Sequence, residues 1–278
     1  IGENGARTTN NANEVAHYEF GAALASDAIL DAMNEVEAGK TELELGECLN
    51  KYGQHPSLTI IAATGERFEH GNMFPTQKKV KLGDAISLTT GYAGGSSSRA
   101  GYAAKDESDI PDSAKRYINA LVAPYFIAYV TWLKKIHVGM KGKEMFNEIE
   151  TVLPRSEYHW SLCPGHLTAE EEWMSSPIYE GSEEKLKSGM IFQIDIIPSK
   201  SGMAGTGCES TVLLADENLK KDIQNEYPDM WDRMMKRLDY MKNVLNIPVS
   251  DDILPMCSTV AYLRPFLLNK DCAMKLEK

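Results

Sequence analysis

One stretch of the chain, residues 188–217, constrains the fold most strongly, because it reads as two β-strands joined by a turn. The first strand is the apolar, β-branched run 191–197, a pattern typical of a strand that is buried on both faces. A turn containing Pro, Ser and Gly separates it from the second strand, 210–215. Each strand brings one acid into an apolar setting, Asp195 in the first and Glu209 at the start of the second.

A carboxylate inside a hydrophobic strand has to be paired, protonated or bound to a metal, because burying a bare charge is costly. Upstream of both strands, a Pro-Gly-His turn presents the imidazole of His166. His, Asp and Glu side chains that converge on a sheet are typical metal ligands, so His166, Asp195 and Glu209 are the candidate metal-binding residues. The alternative is that a nearby Lys or Arg pairs with the acids and that His166 caps a loop.

Composition indicates a soluble globular protein, with 43% hydrophobic and 25% charged residues in a chain of 278. The net charge of −11 argues against nucleic acid or an anionic membrane surface as the main partner. No apolar run reaches the roughly 18 residues that a membrane span needs. The five cysteines show no CxxC spacing, which predicts reduced thiols in a cytoplasmic protein. Because the chain begins at Ile1 without an apolar leader, we expect it to be a piece of a longer protein.

The rest of the chain alternates between helical and extended patterns. Apolar residues at spacings of three and four predict a long helix over 15–33 that ends at Gly39. Residues 85–89 read as a strand, and 91–98 read as a Gly/Ser-rich turn. The segment 158–176 reads as irregular and polar, and its run of three acids, Glu170 to Glu172, is typical of a solvated surface.

The two halves of the chain repeat each other weakly. Residues 81–89 and 187–195 are both Lys-x-Gly turns that lead into apolar strands, and Gly-containing turns follow at 91–94 and 202–205. Such a duplication predicts an α+β fold in which two similar halves curl one antiparallel sheet, with helices on its outer face. A site at the pseudo-twofold axis would take one strand pair from each half. The alternative is that so short a repeat arises by chance.

Together these motifs resemble the pita-bread family of methionine aminopeptidase, prolidase, aminopeptidase P and creatinase. The Leu-Gly-Asp turn at 82–84 resembles the turn before the family's first metal-ligand strand, and the turn at 164–166 resembles the one that carries its His ligand. The strands with Asp195 and Glu209 resemble those with its last two ligands. The resemblance is greatest to the catalytic domain of the Xaa-Pro peptidases. It implies one pita-bread domain over residues 1–278, preceded in the longer protein by that branch's N-terminal domain.

In the active family members, two Asp, one His and two Glu residues hold two divalent metals that activate a bridging water. The corresponding positions in this chain are, in that order, Thr89, Ser96 or Ser97, His166, Asp195 and Glu209. Both Asp ligands are therefore replaced by hydroxyl side chains. Two divalent ions about 3.5–4 Å apart would then repel each other without compensation. We expect no two-metal centre, and either no cofactor or a single Mn²⁺, Co²⁺ or Zn²⁺ on His166, Asp195 and Glu209.

Three functions are compatible with this degenerate site. The first is a catalytically impaired or inactive pseudoenzyme that binds a peptide or small molecule in the central pocket. The second is metal-independent hydrolysis of the creatinase kind, with His70, His166 and Glu209 as the candidate catalytic residues. The third is Xaa-Pro aminopeptidase or dipeptidase activity with one metal.

Two further expectations concern binding. Arg99, with His166, is a candidate substrate-binding residue, and its guanidinium could pair with the carboxylate of Glu209 or Asp195 in place of a metal ion. The family's upstream His matches either His70 or Asn72. The resemblance also implies a homodimer.

Overall fold

The computed structural model describes residues 2–71 and 73–277. The α-helices of this part are α1 (Ala12–Glu35), α2 (Glu42–Cys48), α3 (Glu66–His70), α4 (Ala123–Lys135), α5 (Gly142–Val152), α6 (Arg155–Tyr158), α7 (Glu217–Glu226) and α8 (Pro228–Asp239). A 3-10 helix (Asp112–Ala114) and a π-helix (Ile118–Val122) precede α4, and a second π-helix (Tyr240–Val244) follows α8. The strands are β1 (Ile61–Thr64), β2 (Ala85–Tyr92), β3 (Gly95–Tyr102), β4 (His166–Leu167), β5 (Ile191–Gln193), β6 (Gly207–Glu209), β7 (Thr211–Leu214) and β8 (Ile253–Pro255). No helix of the described residues has the length and apolarity that crossing a bilayer requires.

The strands form two four-stranded antiparallel sheets, in the orders β1-β2-β3-β6 and β4-β5-β7-β8. The sequence predicted one curled sheet, and the hydrogen-bonded ladders divide it in two. The division falls at Ser210, the single residue between β6 and β7. Its carbonyl oxygen still accepts the N–H of Ile194 at 3.1 Å, so the segment 207–214 passes from one sheet directly into the other.

The predicted duplication is visible in how each half begins. In the first half, Thr41 caps α2 through a capping box with Glu44 and forms an isolated β-bridge with Lys79, shortly before β2. In the second half, Lys141 precedes α5 and forms the equivalent bridge with Lys185, shortly before β5. A long helix comes before each of these short helices, α1 in one half and α4 in the other.

Helix α1 begins at a capping box formed by Asn11 and Glu14, and it packs across β2 and β3. Its fully buried face includes the predicted apolar positions Val15, Ile29 and Met33. The helix ends at Glu35, and the predicted terminator Gly39 lies in the following turn with a φ of +96°. The helix therefore covers the outer face of the first sheet and leaves the opposite face for the cavity.

The hairpin of β2 and β3 is longer than the sequence predicted. Strand β2 continues to Tyr92 and β3 begins at Gly95, so of the residues 91–98 expected to form a Gly/Ser-rich turn only Ala93 and Gly94 lie between the strands. The register pairs Thr89 with Ser98, and side chains alternate between the two faces of the strand. Ser96 and Ser98 consequently share one face of β3, whereas Ser97 and Arg99 share the other.

Candidate functional site

A cavity of about 340 Å³ lies against one face of the first sheet, between its strands and the chain segments that follow β5 and precede β6. Its apolar wall includes Leu58, Phe68 and Pro198. Its polar wall consists of hydroxyl groups, three of them from the β2–β3 hairpin, and three carboxylates from the second half of the chain. The polar side chains are Thr59, Ser87, Thr89, Ser98, Tyr125, Glu172, Asp195, Thr206 and Glu209. Among the described residues, no Lys, Arg or His side chain lines this cavity.

His166 lies behind the carboxylates, fully buried on β4. The turn before it depends on Gly165, which has a φ of +133° and passes so close to β5 that a Cβ atom would lie 3.2 Å from the carbonyl oxygen of Gln193. The Nδ1–H of His166 donates to the carbonyl oxygen of Leu167 at 3.3 Å, which leaves the lone pair on Nε2. Burial lowers the pKa of His166 to about 4, so the ring is neutral.

The Nε2 atom of His166 faces acids and makes no hydrogen bond with any residue that the structure describes. It lies 3.4 Å from Oε1 of Glu172 and 3.8 Å from Oδ2 of Asp195. The indole of Trp173 covers the other side of the ring, with the two ring centroids 4.0 Å apart. A buried, unpartnered nitrogen lone pair directed at carboxylates is the arrangement that a bound cation would satisfy.

Glu172 belongs to a turn that folds back on β4. The N–H of Leu167 donates to the carbonyl oxygen of Ser175 at 2.7 Å, and this contact brings the turn over His166. Glu172 therefore points inward with 28% of its side chain exposed, whereas Glu170 and Glu171 are exposed. The prediction that all three acids form a solvated run is wrong for Glu172. Burial raises its pKa.

Asp195 and Glu209 complete the acidic side of the cavity. Burial, and then the charge of Glu172, raise the pKa of Asp195 to about 7. Burial raises the pKa of Glu209 well above its ordinary value, and the charges of Asp195 and Glu172 raise it further. Three acids that share one pocket without a basic partner cannot all be ionised unless a cation neutralises them.

The side chains that could hold such a cation are His166, Glu172 and Glu209, whose ligand atoms all lie within 4.8 Å of one another. The sequence predicted His166, Asp195 and Glu209, so the assembled group has Glu172 in place of Asp195. This exchange could not be predicted from the sequence, because only the fold of the 167–175 turn distinguishes Glu172 from the acids beside it.

The hydroxyl side of the cavity contains no carboxylate. Thr89 and Ser98 face each other across the hairpin, and their hydroxyl oxygens are 2.8 Å apart in a hydrogen bond. Ser98, rather than Ser96 or Ser97, is thus the β3 residue that lines the cavity opposite Thr89. The hydroxyl of Ser96 donates instead to Oε1 of Glu209 at 2.7 Å. Ser97 is buried on the other face of the strand, where its hydroxyl has no hydrogen-bond partner within residues 2–71 and 73–277.

Arg99 does not have the role expected for it. It is 1% exposed on the face of β3 that points away from the cavity, so it cannot touch a ligand there. Its guanidinium donates to Oγ of Ser210 and to four main-chain carbonyl oxygens, those of Ser98, Glu209, Thr259 and Tyr262. The expected ion pair is absent, because Arg99 binds the carbonyl of Glu209 and not its carboxylate. Arg99 instead ties the two sheets to the C-terminal segment.

His70 also lies apart from the cavity. It is the last residue of α3 and is exposed, whereas Phe68 from the same helix lines the cavity wall. The structure therefore does not bring His70 together with His166 and Glu209. Asn72, the other candidate for the same family position, lies outside the described residues.

Solved structures share this architecture at low sequence identity. No protein-family model and no curated protein sequence matches the chain. The prolidase from Pyrococcus horikoshii OT3 superposes with a TM-score of 0.64 at 18% identity, over 75% of this chain and 61% of that one. The Xaa-Pro dipeptidase from Bacillus anthracis superposes with a TM-score of 0.61 at 20% identity, over 76% of this chain and 60% of its own. The X-Pro aminopeptidase from Thermotoga maritima MSB8 superposes with a TM-score of 0.62 at 19% identity, over 76% of this chain and 60% of its own.

The chain thus spans about three-fifths of the length of these proteins, with coverage of 60% to 61% of each. At such identities the likeness establishes the fold and not the activity. The fold expected from the sequence is confirmed: this chain has the α+β pita-bread fold found in prolidases and Xaa-Pro aminopeptidases.

Proposed function

We propose that this chain is a catalytically impaired member of the Xaa-Pro peptidase fold, which binds a small peptide or amino-acid-like molecule together with one divalent cation. The observation that carries the proposal is the buried Nε2 of His166, which faces Glu172 and Asp195 and has no hydrogen bond in the part of the chain that the structure describes. A cation on His166, Glu172 and Glu209 would use that lone pair and neutralise two carboxylates.

The donor set fits a single Mn²⁺, Co²⁺ or Zn²⁺ ion. One imidazole and two carboxylates are ligands that all three metals accept, and three protein ligands leave open positions. When bound, the cation would supply Lewis-acid chemistry to a ligand carbonyl. The protein's own part is to hold the imidazole in the Nδ1–H tautomer through Leu167 and to keep the three ligand atoms together.

A second cation lacks ligands in the other half of the site. Thr89 and Ser98 are neutral, and each already uses its hydroxyl in their mutual hydrogen bond. Without added negative charge, repulsion between two divalent ions would be uncompensated. This is why we propose impaired or absent two-metal peptidase activity and not ordinary Xaa-Pro hydrolysis.

The cavity favours a small ligand that carries a protonated amine. Its volume of about 340 Å³ is at the low end of the range for small-molecule sites, about 300–1,000 Å³. Asp195 lines it but is not part of the cation-binding group, so its carboxylate is available to an ammonium group. The apolar wall at Leu58, Phe68 and Pro198 suits an uncharged side chain or a proline ring.

Creatinase-like hydrolysis has less support. That chemistry needs an imidazole exposed to the substrate, whereas His166 is fully buried and His70 does not line the cavity. Hydrolysis that persists in a strong chelator would support it against our proposal. Homodimerisation and a cytoplasmic location, expected from the sequence, stay predictions.

The cation proposal is tested by isothermal titration of the full chain with Mn²⁺. We expect one equivalent to bind, with loss of binding in His166→Ala and normal binding in His70→Ala, a control on the exposed end of α3. Binding of two equivalents, or binding that survives His166→Ala, would contradict the proposal. Rapid hydrolysis of Xaa-Pro dipeptides in Mn²⁺ would contradict the impaired activity.

The ligand proposal is tested with the dipeptide Ala-Pro and its N-acetylated form. We expect only the free amine to bind, and we expect Asp195→Asn to weaken its binding while the Mn²⁺ stoichiometry stays at one. Equal binding of the two dipeptides would show that no ammonium group is recognised.

A further inference from the structure

We propose that Ser96, Gln193 and Thr211 form a positioning relay, a one-way chain of buried hydrogen bonds that fixes the carboxylate of Glu209 for cation binding. This inference rests on the proposed function, since it assigns the relay to the same cation. None of the three relay residues belongs to the cation-binding group itself.

The relay crosses the junction between the sheets. Gln193 on β5 pairs with His166 on one side and with Thr211 of β7 on the other, so these three residues share one face of the second sheet. The amide nitrogen of Gln193 reaches across to β3 of the first sheet, where it donates to the carbonyl oxygen of Ser96 at 2.9 Å and to the Ser96 hydroxyl. The Ser96 hydroxyl then donates to Oε1 of Glu209 at 2.7 Å.

The direction of every bond in the relay follows from chemistry. A main-chain carbonyl oxygen only accepts, so the NH₂ group of Gln193 must face Ser96. The amide oxygen consequently faces Thr211, whose hydroxyl donates to it at 2.6 Å. The Ser96 hydroxyl already accepts a hydrogen from Gln193, and its single proton is therefore free to go only to Glu209.

As a result, Oε1 of Glu209 always accepts the hydrogen bond from the Ser96 hydroxyl. Reversing the direction of these hydrogen bonds would place two acceptors, or two donors, opposite each other. Water could not compensate for the lost bonds, because Ser96, Gln193 and Thr211 are at most 1% exposed. The relay thus fixes the rotation of the carboxylate and leaves its second oxygen uncommitted. Ser96, one of the candidates for a lost Asp ligand, supports Glu209 instead.

Two substitutions at Thr211 separate hydrogen bonding from packing. Thr211→Val keeps the shape of the side chain and removes the hydroxyl, whereas Thr211→Ser keeps the hydroxyl and removes a methyl group. A positioning relay predicts weaker Mn²⁺ binding in Thr211→Val and near-normal binding in Thr211→Ser. A purely structural role predicts no such difference in affinity, only changes in thermal stability.

Ser96→Ala tests the last bond of the relay, with Ser97→Ala as its control on the opposite face of β3. Loss of an outer-shell partner typically weakens metal binding about 10- to 100-fold, and we expect that loss for Ser96→Ala and Thr211→Val. Isothermal titration with Mn²⁺ on the full chain, with thermal unfolding of each variant, provides the measurement.

The outcomes distinguish this inference from the proposed function. If the natural chain binds one Mn²⁺ and both Ser96→Ala and Thr211→Val bind it equally well, the relay is overturned and the cation site stands. If Ser97→Ala weakens binding as much as Ser96→Ala does, the relay is likewise overturned. If the natural chain binds no Mn²⁺, the proposed function is overturned and the relay's role falls with it. Should Ser96→Ala not fold, the Thr211 pair still decides the question.

Discussion

The Nε2 atom of His166, on β4, lies 3.4 Å from Oε1 of Glu172, in the turn that follows this strand and folds back on it. Neither group has a better partner among the described residues, because Nε2 makes no hydrogen bond and no basic side chain lines the cavity. The pKa of each of the three neighbouring carboxyl groups is raised, which shows that their ionised forms are destabilised here. A divalent ion bound beside the neutral imidazole would stabilise the ionised carboxylates.

Glu172→Gln should weaken Mn²⁺ binding by more than the roughly 10- to 100-fold typical of outer-shell changes, because it removes a direct ligand charge. The metal-free variant should be at least as stable as the natural chain, since one like-charge repulsion is lost. Isothermal titration and thermal unfolding measure the two effects. Glu170→Gln is the matched control, because Glu170 is exposed and lies beside His17. Equal affinities in the two variants would exclude Glu172 as a ligand.

Metal-free stability should decrease as the pH rises through about 7, the pKa of Asp195. A carboxyl whose pKa is raised on folding binds more protons in the folded state, so it stabilises the fold at low pH and loses that contribution through its folded pKa. The lowered pKa of His166, about 4, acts in the opposite direction, but only below the ordinary pKa of histidine. Asp195→Asn should remove this contribution, so the stability difference between the natural chain and the variant, measured by thermal unfolding, should change between about pH 4 and about pH 7 and stay constant above that. An unchanged pH profile would contradict this.

Mn²⁺ should stabilise the protein more above neutral pH than below it, because protons compete with the cation for the carboxylates and the imidazole. At a concentration about 100 times the dissociation constant, the gain would be about 2.7 kcal/mol. Thermal unfolding with Mn²⁺, and again after a chelator is added, measures the effect. Equal stabilisation at acidic and alkaline pH would indicate that the cation binds somewhere other than these acids.

The double variant Thr89→Asp, Ser98→Asp should bind a second divalent cation. Thr89 and Ser98 are direct partners across the β2–β3 hairpin, and both line the cavity opposite the existing acids. Two carboxylates there would supply the negative charge that the hydroxyl side lacks. Titration should show the Mn²⁺ stoichiometry rising from one to two. The control variant Thr89→Asn, Ser98→Asn adds similar bulk without charge and should stay at one.

Arg99→Met should destabilise the fold by about 3 kcal/mol or more, because it leaves several buried carbonyl oxygens without a donor. The carbonyls at issue belong to β3, to Glu209 and to the C-terminal segment. Chemical denaturation measures the change. Since Arg99 does not touch the cavity, the variant should retain one Mn²⁺ site while it is folded. A variant of unchanged stability would show that these bonds are dispensable.

Much of the architecture could be predicted from local signals. The capping box at Thr41 and the Lys-x-Gly repeats depend on residues close in sequence, and each marks a real boundary or strand start. The apolar run 191–197 predicts one buried strand, but only its first part, β5, is a strand, and Ile197 is exposed. The pairing of His166 with Glu209 in one site could be predicted as well, because a buried acid and a turn histidine are unusual enough to stand out.

The remaining errors have physical causes at longer range. A run rich in Gly and Ser has low strand propensity, yet pairing with the fully buried β2 draws residues 95–98 into β3. Once β3 begins at Gly95, its two-residue period turns Arg99 away from the cavity. Glu172 could not be distinguished from Glu171 because a main-chain contact with Ser175, and no local pattern, directs it inward.

Residues 207–214 enter one sheet and leave in the other, with Glu209 one peptide unit from the crossing at Ser210. Glu209 belongs to the first sheet and His166 to the second. Any movement of one sheet relative to the other therefore changes the distance between these two side chains. Because Glu209 lines the cavity and also belongs to the cation-binding group, a ligand in the cavity and an ion on His166 and Glu209 should not bind independently. Each must change the other's dissociation constant by the same factor, since such coupling is reciprocal at equilibrium.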